Sequence, residues 1–369
     1  MKVLLINAWT ADSLPPPSVG YLQSSLKSYG INVIARNIDE ALIMADEFDI
    51  VGVTFHSFSV RFARQIRDKF KCHLVCGGHH PSALPDQMLT IGYDQVVIGE
   101  GEDAMIDIIM GNREQKVYSD QVKGKYFNSI DDIPFPDYSG LPNEKIYGIN
   151  IISSRGCPFS CNFCASSDFW KHRYYMRSPG NVLAEIEQRK SEGFPSWIFE
   201  DDNFTVNKNR VHDICSGLDG KYTWTTVGRA ESLDKDTCEM MYRAGCRKIF
   251  LGIESLSQKA LDRCNKHTTV ERMLKGIETA ENSGIETISL FIVGLPGDTL
   301  EDVQETHRQR IRSKIKTRGT NIAWILPNTE IHRKAKEYGF DDNIYLESGA
   351  PFYTYEQPIE TLRQWESLI

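Results

Sequence analysis

Short apolar runs alternate with amphipathic stretches along most of this chain. Residues 2–7, 32–36, 50–54, 73–76 and 95–98 are brief, rich in Val, Ile and Leu, and read as strands. Between them Val19, Leu22 and Leu26 recur at helical spacing, residues 38–47 read as a helix, and Phe62, Ile66 and Phe70 mark another. Strands alternating with helices predict a parallel sheet covered on both faces. Right-handed crossovers make that a doubly wound, Rossmann-like domain over residues 1–123, with its ligand-binding loops at the strand C-termini.

The pattern breaks at residues 124–147, where Pro134, Pro136 and Pro142 stand among Asp and Ser residues, as in a linker or strap. It then restarts with longer helices. Strands are expected at 149–153, 197–200, 223–227, 248–253, 287–293 and 322–326, and helices at 181–192, 208–217, 234–244, 270–283 and 300–313. Gly193, Gly245 and Gly284 stand where C-caps belong. Six β/α units over residues 148–335 predict a partial (β/α)6 barrel, again with its active face at the strand C-termini. Residues 336–369 form a short C-terminal tail. The fold class is therefore α/β throughout.

Composition narrows the functions. No apolar run approaches the roughly 20 residues needed to span a bilayer, and the opening apolar run of 2–7 reads as a buried strand rather than a signal segment. A cytoplasmic protein with no membrane partner is expected. A net charge of −8 argues against nucleic acid, since the one basic run, 307–318, has the look of a solvated helix face. Oligomeric state stays open. Nine cysteines, an odd number, do not suit a disulfide framework, and clustered thiols in a reducing compartment point to metal or catalysis.

Three of the nine, Cys157, Cys161 and Cys164, fall in the segment SRGCPFSCNFC directly after the first strand of the second domain. Thiolates spaced C-x3-C-x2-C on a tight loop can converge on one iron–sulfur cube and leave its fourth iron open. Zinc is the competing reading; it wants a fourth ligand, and His172 is the one nearby candidate. Here the chain resembles the radical S-adenosylmethionine (radical SAM) superfamily, whose signature is this triad after the first barrel strand. The resemblance implies a [4Fe-4S] cluster that reductively splits S-adenosylmethionine into a 5′-deoxyadenosyl radical. It extends along the domain. Phe163 matches the aromatic beside the adenine, and FEDDNF at 199–204 resembles the segment that binds the methionine amino group, through Asp201 and Asp202. Arg229 fits a partner for the methionine carboxylate, Glu254 and Ser255 lie in a G-I-E-S that contacts the ribose, and Gly294 and Leu295 lie in F-I-V-G-L-P-G beside the adenine. Each also has a plainer reading: a helix cap for the aspartates, an ion pair for Arg229, a tight turn for the glycines.

The first domain resembles the cobalamin-binding domain of one large subgroup. PPPSVGYL at 15–22, GGHHPSALP at 77–85 and GEGE at 99–102 carry the likeness. It implies cobalamin contacts from Ser57, Gly77, Gly78, His79, Gly99, Glu100 and Gly101. No D-x-H-x-x-G is present to supply a lower cobalt ligand, and His56 lacks the flanking residues of that motif. A Rossmann-like domain kept for stability or docking remains the alternative.

The subgroup's chemistry is methylation of an unactivated carbon or phosphorus centre of a small metabolite, with flavodoxin or ferredoxin as electron donor. Oxidative cyclisation or rearrangement without methyl transfer would use the same parts, and a non-catalytic cobalamin sensor would need only the first domain. Asn328 stands where relatives usually carry the Gly of P-G-T, so either the substrate is unusual or a partner protein completes the site. The triad supplies a direct test. Cys161→Ala is expected to abolish both the brown cluster absorbance and the cleavage of S-adenosylmethionine after anaerobic reconstitution. A variant that kept a full four-iron cluster would overturn the ligand assignment.

Overall fold

A computed structural model describes residues 1–8, 16–119, 123–141 and 148–369. Pro15 of the early proline run, residues 120–122 at the end of the expected first domain and residues 142–147 at the end of the expected linker lie outside the described residues. The chain forms two compact units: Met1–Asn150 with Asp341–Pro351, and Ile151–Phe340 with Phe352–Ile369.

The first unit is built on strands β1 (Lys2–Asn7), β2 (Asn32–Asn37), β3 (Ile50–Thr54), β4 (His73–Gly77), β5 (Gln95–Val97) and β6 (Val117–Tyr118). They pair in parallel in the order β2-β1-β3-β4-β5-β6. Val3, Leu4, Leu5, Ile6, Ile50 and Val51 are all buried, the unbroken apolar run of a strand covered on both faces. The strand order reverses beside β1, which sets a crevice at the C-termini of β1 and β3. Residues 123–141 lie over the helix Pro17–Ser28. Gln23 Nε2 donates to the carbonyls of Asp137 and Ser139 at 3.2 and 3.0 Å, and Lys27 pairs with Asp137 at 2.5 Å. Part of the tail also belongs here. Tyr345 is fully buried edge-on to His80, ring centroids 5.2 Å apart, and the Asp342 carbonyl accepts from Gln87 Nε2 at 2.8 Å.

The second unit begins within β7 (Ile149–Ile151) and carries a two-stranded antiparallel ribbon of β8 (Ser154–Arg155) and β9 (Tyr175–Met176), and then β10 (Ser196–Phe199), β11 (Thr223–Gly228), β12 (Cys246–Glu254), β13 (Glu286–Val293) and β14 (Thr317–Ile322). Its sheet runs β14-β13-β12-β11-β10-β7, the six-stranded arrangement expected of the partial barrel. Side chains alternate along β10, β11 and β13 and through the middle of β12. Trp197, Phe199, Trp224, Ile249, Leu251, Phe291 and Val293 are buried, while Ile198, Val227, Phe250, Ile288, Leu290 and Ile292 on the other face are only half-buried. Phe199 stacks on Phe204 at 4.6 Å and meets Trp224 edge-on at 5.2 Å, each such pair worth about 0.5–1.5 kcal/mol beyond its area.

One strand lies elsewhere than expected. The apolar run 322–326 predicts the sixth strand, but β14 is the polar Thr317–Ile322, and the run beyond it carries Ala323 and Ile325 into the core as irregular chain. An edge strand needs only one hydrogen-bonded neighbour and can expose its side chains, so hydrophobicity marks it poorly. Gly193, Gly245 and Gly284 take φ of 90°, 103° and 90°, the left-handed C-caps read from the sequence. No helix among the described residues is long and apolar enough to cross a membrane.

Two consequences can be measured. A Cβ on Gly276, in the helix Val270–Asn282, would lie 1.8 Å from the Ala230 carbonyl oxygen, a backbone atom that cannot swing away. Gly276→Ala is therefore expected to cost at least about 3 kcal/mol, the upper range of overpacking, read from the urea midpoint. Asp298 is buried after β13. Burial pushes its carboxyl up to about 6, against the opposing pull of the Leu295 N–H and Arg263. A carboxyl raised in the fold stabilises most below its unfolded value and loses that contribution as pH rises from about 4 to about 6. Asp298→Asn should thus gain roughly 2–3 kcal/mol at pH 7 relative to its effect at pH 4. Equal effects at both pH values would refute the assignment.

Candidate functional site

The cysteine loop is held at both ends. Upstream, Asp201 is buried at the end of β10 and accepts three hydrogen bonds: from the Ser153 N–H at 2.7 Å, the Ser153 hydroxyl at 2.5 Å and the Ser154 hydroxyl at 2.6 Å. The exposed Asp202 accepts from the Gly156 N–H at 2.9 Å. Gly156 has φ 87°, and a Cβ there would sit 2.2 Å from the Arg173 carbonyl, so the position admits only glycine. Downstream, Asn162 Nδ2 donates to the Arg263 carbonyl at 2.8 Å, and Asn265 Nδ2 donates to the Ser160 carbonyl at 2.7 Å. Neither asparagine was singled out from the sequence. A polar residue in a loop carries no periodicity, and their partners lie 101 and 105 positions away.

Cys161 is buried; Cys157 and Cys164 are half-buried. Burial, then the charges of Cys164, Asp202 and Cys161, pushes the Cys157 thiol up, and burial together with Cys161 does the same to Cys164. The three sulfurs thus stand in one another's field, where thiolates are stable only against a shared cation. Three thiols on one short loop match three irons of a four-iron cube, whereas a structural zinc asks for a fourth ligand.

The strand ends bring further residues to the loop. Arg229, after β11, lies over the Phe159 ring, its Cζ 4.0 Å from the ring centroid, and donates from Nη1 to Cys161 Sγ at 3.3 Å. Its Nε donates to Glu231 at 2.5 Å and its Nη2 to the Lys266 carbonyl. Glu254 ends β12 in a left-handed conformation, φ 65°, where the register with β13 slips. Such a conformation costs a non-glycine residue about 1–3 kcal/mol and marks functional sites. Its carboxylate pairs at 3.0 Å with Lys266, a buried cation unnoticed in the sequence because its turn shows no pattern. Gly252 makes the room: a Cβ there would sit 2.5 Å from Glu254 Oε1. Ser255 turns away, its hydroxyl 2.9 Å from that of Thr306 and accepting from the Ser257 N–H at 3.1 Å. Gly294 (φ 80°) and Leu295 form the turn after β13, closed by the Leu295 N–H on Asp298 at 3.0 Å. Phe163 is half-buried on the cysteine loop.

In the first unit, the residues read as a corrin cradle gather at the strand C-termini. Gly78 (φ 98°) brings β4 so close to β3 that a Cβ would lie 2.7 Å from the Phe55 carbonyl. Gly99 (φ 83°) has no atom within 4 Å of its would-be Cβ, which leaves bare backbone open to a large flat ligand. His56 and His79 stack at 5.5 Å, and burial pulls both imidazoles down to about 4, so both are neutral at pH 7. Ser57 Oγ is 3.1 Å from His80 Nδ1, Gly77 ends β4, Glu100 pairs with Lys123, and Gly101 precedes the helix Glu102–Ile109. The glycine edge fits a corrin.

Comparison with known proteins agrees. The radical SAM superfamily model matches residues 151–310, and the B12 binding domain model matches residues 4–109. An uncharacterized methyltransferase of Pyrococcus horikoshii is 29% identical across 100% of this chain and 89% of its own length. The anaerobic magnesium-protoporphyrin IX monomethyl ester cyclase of Cereibacter sphaeroides is also 29% identical, over 82% of this chain and 57% of its own. The radical S-adenosylmethionine methyltransferase TsrM from Kitasatospora setae, solved with cobalamin and a [4Fe-4S] cluster, superposes with a TM-score of 0.75. It is 19% identical, over 92% of this chain and 75% of that one. With both models matched and the cysteine loop in place, this chain carries a B12-binding domain over residues 4–109 and, after it, a domain of the radical SAM superfamily over residues 151–310.

Proposed function

We propose that this chain is a cobalamin-dependent radical SAM methyltransferase acting on an unactivated carbon of a small molecule. It works in the cytoplasm and draws electrons from a flavodoxin or ferredoxin. The observation that carries the reading is the cysteine loop, three thiols in one another's field, anchored by Asp201 and backed by Arg229. Bound, the cluster supplies the electron that splits S-adenosylmethionine to the 5′-deoxyadenosyl radical, and the corrin supplies a methyl group for transfer.

The chain's own residues hold and orient. Cys157, Cys161 and Cys164 take three irons. Phe163 and the Gly294–Leu295 turn flank the adenine, and Glu254, aimed by Lys266, accepts from the ribose hydroxyls. Asp202, exposed beside the loop, is the better placed of the two aspartates for the methionine amino group, because Asp201 spends its oxygens on Ser153 and Ser154. Ser255, next to Glu254 in the same motif, is held in place by the Thr306 hydroxyl. The edge formed by Ser57, Gly77, Gly78, His79, Gly99, Glu100 and Gly101 receives the corrin. Likeness over the whole chain to a protein named as a methyltransferase supports methyl transfer. The equally similar cyclase favours ring closure as the second reading.

Anaerobic purification, reconstitution with iron, sulfide and hydroxocobalamin, and desalting decide between them. About four irons and one cobalt per chain are expected. S-adenosylhomocysteine formed beside 5′-deoxyadenosine would then mark methylation. Four irons without cobalt, and 5′-deoxyadenosine alone, would move the assignment to cyclisation.

A further inference from the structure

Arg229 has a place that binding a substrate carboxylate does not explain. It is only 6% exposed. The Phe159 ring covers one face of its guanidinium at 4.0 Å. Three donors are directed to protein atoms: Nε to Glu231, Nη2 to the Lys266 carbonyl, and Nη1 to Cys161 Sγ at 3.3 Å, within the range for a hydrogen bond to sulfur. Cys161 is the most buried of the three loop cysteines, so water competes least for its sulfur. Glu231, its side chain 8% exposed, holds the fork by Nε and leaves the Nη1 edge turned to the thiol.

We infer that Arg229 sets the reduction potential of the cluster by donating an N–H···S hydrogen bond to the Cys161 ligand. The inference rests on the reading of Cys161 as a cluster ligand. Taking up one electron from a flavodoxin- or ferredoxin-type donor adds one negative charge, which spreads onto the ligand sulfurs. A charge-assisted donor on one of those sulfurs stabilises the reduced form more than the oxidised form and raises the potential. Low exposure keeps solvent from screening the effect. Arg229 is a positioning and tuning residue in this scheme and touches no reacting atom.

The test is a potentiometric titration of the reconstituted full-length protein without S-adenosylmethionine, read by the electron paramagnetic resonance signal of the reduced cluster. Arg229→Gln should keep the iron and sulfide content and lower the midpoint. At the wild-type midpoint its reduced-to-oxidised ratio should fall about tenfold, which is about 59 mV for one electron. Arg229→Lys, a cation without the fork, should fall between the two. Glu231→Gln, which removes a nearby negative charge and keeps the arginine, should shift the midpoint the opposite way and carries the test if the Arg229 variants fail to assemble. An unchanged midpoint in Arg229→Gln with weakened S-adenosylmethionine binding would overturn the inference and return Arg229 to the methionine carboxylate. So would a same-direction shift in Glu231→Gln. A wild-type protein that takes up no cluster would instead refute the underlying ligand assignment.

Discussion

The second unit depends on one buried carboxylate. Asp201 is buried just beyond the C-terminus of β10, where an ionised carboxyl without partners would cost several kcal/mol. It is satisfied by the chain that leaves β7: two bonds from Ser153 and one from Ser154. Neighbouring strands are thereby locked at the height where the cysteine loop begins. Asp202 then takes the Gly156 N–H, and the Gly156 backbone passes too close to Arg173 for any side chain. Cys157 therefore starts from a fixed point, and the placement of the other two thiols follows from the short x3 and x2 spacings.

Behind the loop the charges are arranged in pairs. Arg229 with Glu231 and Lys266 with Glu254 form two buried ion pairs linked by the Arg229 bond to the Lys266 carbonyl. Each pair is nearly neutral as a unit, which limits its desolvation cost. Within each pair, one member reaches the cysteine loop or a strand end: Arg229 donates to Cys161 Sγ, and Glu254 closes β12. Breaking either partner leaves a lone buried charge, so the two pairs tie local stability to site geometry.

Much of this was legible in the sequence, and the limits of legibility have a common cause. Strands 2–7 and 50–54 coincide with β1 and β3 because an apolar run between polar turns has one economical fate in a covered parallel sheet. The cysteine triad, Glu254 and the Gly294 turn stand out in the sequence because their motifs are contiguous. The direction of a side chain at a strand end was not. Asp201 and Ser255 stand in their motifs yet face Ser153 and Thr306, partners 48 and 51 positions away. Asn162, Asn265, Glu231 and Lys266 belong to the site only through tertiary contact and leave no local trace. The sixth strand was misplaced by four to five residues for the opposite reason: an apolar stretch was conspicuous, and the solvent-facing edge beside it was not.

The first unit is discontinuous in sequence, since Asp341–Pro351 belongs to it and 190 residues of the second unit, Ile151–Phe340, intervene. During synthesis the ribosome releases Met1–Asn150 long before the helix that buries Tyr345 against His80 exists. The Rossmann-like unit must wait, incomplete, while almost the whole radical domain is made. Early termination anywhere before residue 341 would therefore damage the domain that was translated first, and neither domain could be exchanged between proteins as a single contiguous cassette.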